Sequence, residues 1–212
     1  MIRKNLILAG IILALLLLFV ATLYYPGGSQ SNPISVGYNW GNNYLSNLFS
    51  PKAVNGADNL SRPWAVAGML FLSASFGWFF IKFSVNMPSK RSAAIVKYCG
   101  AGALIAAFLA VTPLHDPMMP IASTLALVAV FYITAFLFKS KLHFLKLLSV
   151  ICLLLFYACV YIYFTRTDLN ILPVMQKLSL LVDILWVLSL EYFAGKPALI
   201  RDLKTGRVIR SF

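Results

Sequence analysis

Six stretches of this chain are each apolar over about the length of helix that crosses a lipid bilayer, and no other feature limits its fold so severely. They run from Leu6 to Tyr25, Trp64 to Phe83, Ala93 to Val111, Ile121 to Phe138, Leu147 to Phe164 and Leu172 to Phe193. A bilayer core about 30 Å thick takes roughly twenty residues of helix, because a helix satisfies its own backbone hydrogen bonds. Hydrophobic residues make up 60% of the 212 and charged residues 11%, whereas a soluble globule is about half apolar and about a quarter charged. A chain this short cannot hide that excess in one core. The expectation is an all-α, polytopic transmembrane six-helix bundle, a single domain over 1–212. No internal repeat, low-complexity tract or soluble domain interrupts it, and no paired broken helices suggest a secondary transporter.

Arg3 and Lys4 precede the first run, as in a signal peptide. Its apolar stretch is longer than the usual signal core and Ala21 to Tyr25 offers no small-residue cleavage pattern, which favours a retained signal-anchor helix.

The net charge of +12 raises the question of nucleic acid. The basic residues fall in clusters between apolar runs and form no stripe with interleaved aromatics, so no nucleic-acid partner is expected. They read instead as topology, since cytoplasmic connections carry the Lys/Arg excess. Arg3 and Lys4 lead span one; Lys90, Arg91 and Lys97 join spans two and three; Lys139, Lys141 and Lys146 join four and five; and Lys196, Arg201, Lys204, Arg207 and Arg210 follow span six. The opposite connections offer Lys52, Arg62 and Arg166. Both termini are expected in the cytoplasm, the membrane being the plasma (bacterial inner) membrane. The tail from Gly195 to Phe212 should adhere to anionic lipid, at about 1 kcal/mol per basic residue. Membrane lipids are the expected partners.

Cys99, Cys152 and Cys159 lie in apolar runs without metal-site or redox spacing and read as core residues. No cofactor is expected. In span three, Gly102, Ala106 and Ala110 form a small-residue stripe suited to close helix approach. Gly68 and Gly77 in span two do not share a face.

The long connection 26–63 should face outward. Its segment Tyr38 to Phe49 mixes aromatics with amides and reads as a short interfacial helix or re-entrant turn that caps the bundle. Asn55-Gly56 marks a turn. Ser61-Arg62-Pro63-Trp64 has the form of a helix start with Ser61 as cap. Asn59-Leu60-Ser61 matches a glycosylation sequon, a tripeptide common by chance. The second outer connection, Thr112 to Pro120, carries three prolines that should stiffen a turn presenting His115 and Asp116. This adjacent base and acid can serve a general-base or metal site completed by Asp58 or Asp168, or can simply brace the loop and cap span four. Without a second outer histidine or HExxH spacing the zinc case is weak. Arg62 is placed to pair with Asp58 or Asp116.

Asp183 lies midway along span six, where a carboxylate costs roughly 2.5–3.5 kcal/mol on insertion scales. Gln176 shares its face. This polar seam either binds a proton or a cationic group, or ties span six to Ser73 or Ser75 of span two. Glu191 reads as interfacial.

Six spans, a long first outer loop holding Asn43-Tyr44-Leu45-Ser46-Asn47-Leu48, and a second outer turn with His115 resemble the prokaryotic domain-of-unknown-function family 998. That family is distantly similar to the Frag/DRAM/Sfk group of six-helix membrane proteins, some of which act in lipid handling. The family pattern has an acid after the loop serine where this chain has Asn47, so the resemblance supplies no carboxylate there. It implies topology and a link to lipids, without an active site to carry over.

Three functions follow as expectations. The first is a protein that holds a lipid or other amphiphile near its outer face, with Asn43, Ser46, Arg62, Gln176 and Asp183 as ligand-binding candidates. The second is a membrane hydrolase or transferase using His115, Asp116 and Asp58. The third is a proton-coupled carrier dependent on Asp183.

Overall fold

A computed structural model describes residues 5–140 and 142–194. Arg3, Lys4, Lys141 and the basic tail from Gly195 to Phe212 lie outside the described residues.

Among the described residues, six α-helices are long and apolar enough to cross a membrane. They are α1 (Leu6–Leu23), α2 (Arg62–Ser84), α3 (Lys90–Leu109), α4 (His115–Phe138), α5 (His143–Thr165) and α6 (Leu172–Ser189), the last continued by a π-helical turn over Leu190–Ala194. Their outward faces are as apolar as the buried ones: Leu16, Phe19, Trp78, Ile105, Phe131, Leu147 and Leu154 are all exposed. A helix apolar all round needs an apolar surround.

The helix ends follow local chemistry. Pro63 sits in the first turn of α2, where a missing N–H costs nothing because that group has no partner within the helix. Ser89 caps α3, its hydroxyl accepting from Ser92 N at 3.1 Å. Arg166 closes α5 in the left-handed region, at φ 60°, with its N–H donated to Ile162 O at 3.0 Å.

The start of α4 corrects the sequence reading. Helix begins at His115, where the reading held a stiff turn through Pro120 and began the span at Ile121. Pro117 falls in the first turn, which tolerates it, and Pro120 stands inside the helix at the loss of one backbone bond. His115 and Asp116 are therefore first-turn helix residues and not loop residues. Ser61 is a second correction. It is already in helical conformation and caps nothing; its hydroxyl, 3.1 Å from Leu48 O and 2.5 Å from Asn59 Oδ1, faces back into the preceding loop.

Helices adjacent in sequence pack side by side, with α3 against α4 and α2 against both α1 and α3 over the greatest lengths. α5 leans on α4 and α6 over shorter lengths, and a small α1–α6 contact closes the ring. At one end Tyr192 of the π turn reaches Asn5 at 3.2 Å, and Lys82 pairs with Glu191. Glu191, read from sequence as merely interfacial, thus ties α6 to α2. The loop 24–61 and the connections after α3 and α5 occupy the other end.

The core is aromatic. Phe79 and Phe80 of α2 lie with ring centroids 5.9 and 6.4 Å from Trp186 of α6, and Phe83 lies 6.4 Å from Phe136 of α4. The Trp186 indole donates to Ser149 Oγ of α5 at 2.7 Å. The small-residue stripe is partly as read: Ala106 and Ala110 are buried, and a Cβ on Gly102 would stand 3.3 Å from Leu125 of α4. A tighter approach lies elsewhere, at Gly100, where a Cβ would overlap the Phe80 ring near its root. A ring cannot swing clear from its Cβ and Cγ, so α3 or α2 would have to move.

Gly100→Ala should therefore lower stability by about 1–3 kcal/mol through overpacking. Gly77→Ala, whose new methyl would have its nearest neighbour 3.9 Å away at Leu104, should be near neutral. Thermal unfolding of the two variants in the same detergent checks the contrast.

Candidate functional site

The loop between α1 and α2 is a hydrogen-bonded cap built on amides. Asn43 is fully buried. Its Nδ2 donates to Gly28 O at 2.8 Å and to Asn47 Oδ1 at 3.3 Å, while its Oδ1 accepts from Asn39 N at 2.8 Å. Asn47 Oδ1 also accepts from Tyr44 N at 2.8 Å, which opens the 3-10 helix Leu45–Phe49. Asn59 Nδ2 donates to Asn47 O at 2.9 Å and Ser50 O at 2.8 Å. Amides suit this work because each offers a donor and an acceptor to a backbone that no regular element satisfies. Asn55-Gly56 makes its turn as read: Gly56 has φ +85° and donates to Ala53 O at 2.9 Å.

Two side chains fasten the cap to the helices. Tyr44 donates its hydroxyl to Leu169 O at 3.2 Å. Lys177 of α6 donates to Asn43 O at 2.6 Å and to Pro173 O at 2.8 Å, and its ammonium lies 5.5 Å from the centre of the Tyr38 ring. Burial pushes the Tyr38 phenol well above its ordinary pKa, with nearby Tyr25 adding to the rise, so it stays a neutral donor within 3.3 Å of Asn43 O and Tyr44 O. Lys177 had no place in the sequence reading because it lies inside an apolar run, outside the connections in which basic residues were weighed. A cation one turn into such a run was the available signal.

Below the cap the starts of α2 and α4 meet in a cleft of about 430 Å³. It brings together Ser46, Arg62 and His115, with apolar walls from Phe49, Pro51, Val111 and Pro113. Arg62 is half-buried, and among the described residues its guanidinium makes no hydrogen bond or ion pair. The sequence reading paired it with Asp58 or Asp116. Asp58 is instead held by Lys52 at 2.6 Å, and Asp116 lies 3.1 Å from His115 Nδ1. Asn43, spent inside the cap, does not line the cleft, and neither does Asp58.

Neither His115 nor Asp116 caps α4: the N-cap residue is Leu114, without a side-chain bond, although Asp116 in the first turn suits the helix dipole. Asp168, in the turn before α6, has a positive φ of 48°. Among the described residues no group of three or more His, Cys, Asp and Glu side chains lies close enough to hold a metal ion.

Gln176 and Asp183 do share a face, and they line a second cavity, between α4, α5 and α6. Asp183 is not tied to α2. It accepts from the Cys152 thiol of α5 at 2.9 Å, while Ser75 donates to Phe71 O of its own helix at 2.7 Å and the Ser73 hydroxyl is buried without a partner. The spacing that aligned Gln176 with Asp183 also holds Ser179, which sequence reasoning passed over, and it sets Cys152 and Cys159 on one face of α5.

Asn43→Ala removes the contacts to Asn39 and Gly28 and strands the carbonyl of the buried Gly28. The expected cost is about 2–4 kcal/mol, felt first in the cap. Limited proteolysis should cut the variant within 24–61 at protease levels that leave the parent intact.

Comparison with protein-family models, with curated proteins and with solved structures gives no match to this chain.

Proposed function

We propose that this chain is a multi-pass protein of the plasma (bacterial inner) membrane that holds an amphiphile with an anionic head at its outer face. Both termini are cytoplasmic in this reading. The cap and the α3–α4 connection face outward, while Lys90 and Lys139 in the opposite connections meet the cytoplasmic surface. Membership of the domain-of-unknown-function family 998 is part of the proposal and rests on Asn43 to Leu48, His115 and the six spans.

The observation that carries the binding role is the unpaired Arg62 guanidinium in a cleft with apolar walls. A guanidinium without a counter-ion in a half-buried setting favours a phosphate or carboxylate, which it can grip with two parallel hydrogen bonds. Ser46 adds a hydroxyl from the 3-10 helix, His115 adds a ring nitrogen, and the starts of α2 and α4 add positive dipole ends. The apolar walls leave a path for acyl chains. A second reading, a membrane hydrolase or transferase, is favoured by the 3.1 Å contact of His115 with Asp116 beside the same cleft. Asp58 has no part in it, being held by Lys52.

Two measurements test this. Cysteine placed at Lys52 should react with a membrane-impermeant maleimide in intact cells, and a tag after Phe212 should be reachable only after permeabilisation; the opposite pattern sinks the orientation. Native mass spectrometry in mild detergent should find phosphatidylglycerol bound to the parent protein. Arg62→Ala should lower that occupancy by roughly ten- to a hundredfold, the worth of a charge-assisted hydrogen bond of about 1.5–3 kcal/mol. Equal occupancy in the variant would refute an Arg62 site, and cleaved lipid whose appearance depends on His115 would establish the hydrolase reading.

A further inference from the structure

The polar seam of α6 opens on a site distinct from the outer cleft. Gln176, Ser179 and Asp183, at i, i+3 and i+7, line a cavity of about 180 Å³ walled by Phe156, Val160 and Tyr163 of α5. Ser179 is only 4% exposed, yet its hydroxyl has no partner, and the buried Gln176 Oε1 has none either. Asp183 accepts from the Cys152 thiol at 2.9 Å, and its carboxyl also lies within reach of the Ser179 hydroxyl. Unmet buried polar atoms are rare in folded proteins, and each one strands a hydrogen bond's worth of desolvation. Two on one face of one helix, Gln176 Oε1 and Ser179 Oγ, line one cavity with the Asp183 carboxyl and make it rich in acceptors.

The cavity adjoins a chamber of about 240 Å³ between α2, α3, α4, α5 and α6, where Phe76, Phe80, Val130 and Trp186 supply an almost wholly apolar lining. Asp183, Phe156, Leu180, Met119 and Ser123 line both spaces. A polar vestibule leading to an apolar chamber is the shape of an amphiphile. The vestibule can hold a head that donates hydrogen bonds, and the chamber can take a hydrocarbon chain but no second polar group. An anionic head is disfavoured here because no cation lines the vestibule to receive it, whereas Asp183 does line it. That sets this site apart from the outer cleft, where Arg62 selects the reverse.

We propose that the α4–α5–α6 vestibule binds a neutral, single-chain amphiphile whose head donates hydrogen bonds, such as an alcohol or a monoacylglycerol. The head lies at Gln176, Ser179 and Asp183 and the chain lies in the chamber against Trp186.

Trp186 makes the test direct, because the other three tryptophans, Trp40, Trp64 and Trp78, are exposed. With those three replaced by phenylalanine in the full chain, a dibrominated stearyl alcohol should quench Trp186 emission saturably. The methyl ether of the same alcohol, which has no donor, should bind about tenfold more weakly, the worth of one hydrogen bond of about 1 kcal/mol or slightly more. Gln176→Leu and Ser179→Val should weaken the alcohol by a similar factor without changing the ether. Ala126→Phe, which fills the chamber, should abolish saturation for both. Equal quenching by alcohol and ether, or quenching that rises linearly with the probe's share of the detergent, overturns the proposal. That comparison uses the unaltered cavity, so it decides the matter even where a cavity variant fails to fold. An Arg62→Ala result bears on the outer cleft alone.

Discussion

Ring packing between α2 and its neighbours is the contact on which the bundle depends. Phe79, Phe80 and Phe83 leave α2 toward α6, α3 and α4, and each meets a partner shaped for it: Trp186, the bare backbone at Gly100, and Phe136. Aromatic rings bury more area per residue than aliphatic chains and prefer tilted or edge-on pairs, and the pairs here are of that kind. α2 thus holds a central place although the chain simply runs from neighbour to neighbour. Among the described residues, α5 has no such ring anchor and is held by the Ser149 hydroxyl under Trp186 and the Cys152 thiol on Asp183. Its shorter contact with α4 is why the vestibule lies beside it.

Polar groups are treated in two opposite ways. In the cap, Asn39, Asn43, Asn47, Asn55 and Asn59 are spent on backbone, so that a segment with little regular structure has its buried groups satisfied. In the vestibule, the buried Gln176 Oε1 and Ser179 Oγ are left without hydrogen-bond partners. The cap is saturated and the vestibule is not, and this separates a structural use of amides from a receptive one. Arg62 belongs with the second group. It keeps a charge in a half-buried cleft while the nearby carboxylates go to Lys52 and His115.

The number and type of the helices were legible because length and hydropathy alone determine them. The start of α4 was not legible, since prolines break helix interiors but not first turns, and residue type does not say which of the two applies. The core contact at Gly100 was hidden for a related reason: a stripe of small residues marks a face for close approach, but the ring that fills it belongs to another helix. Among the site residues, the alignment of Gln176 with Asp183 could be read from the helical period, and Ser179 could have been added by the same rule. Arg62 and His115 come together through the convergence of two helix starts 53 positions apart in number, 115 against 62, which no local pattern encodes. Asn43 misled because a buried amide and a ligand-binding amide look alike in sequence.

Lys177 joins the cap to the helix that carries the vestibule acceptors. It follows Gln176 directly, so its side chain leaves α6 about 100° around the axis from the vestibule face. By gripping Asn43 O in the cap, it fixes the rotation of α6 about its own axis. That rotation decides whether Gln176, Ser179 and Asp183 point into the vestibule or into α5. The cap therefore does more than cover the bundle end: its saturated amide network is the rigid body against which the acceptors of α6 are aimed. A cation one turn into an apolar helix costs desolvation, and here two carbonyls and the face of Tyr38 offset that cost. Replacing Lys177 with an apolar residue would relieve the desolvation but release α6 from the cap.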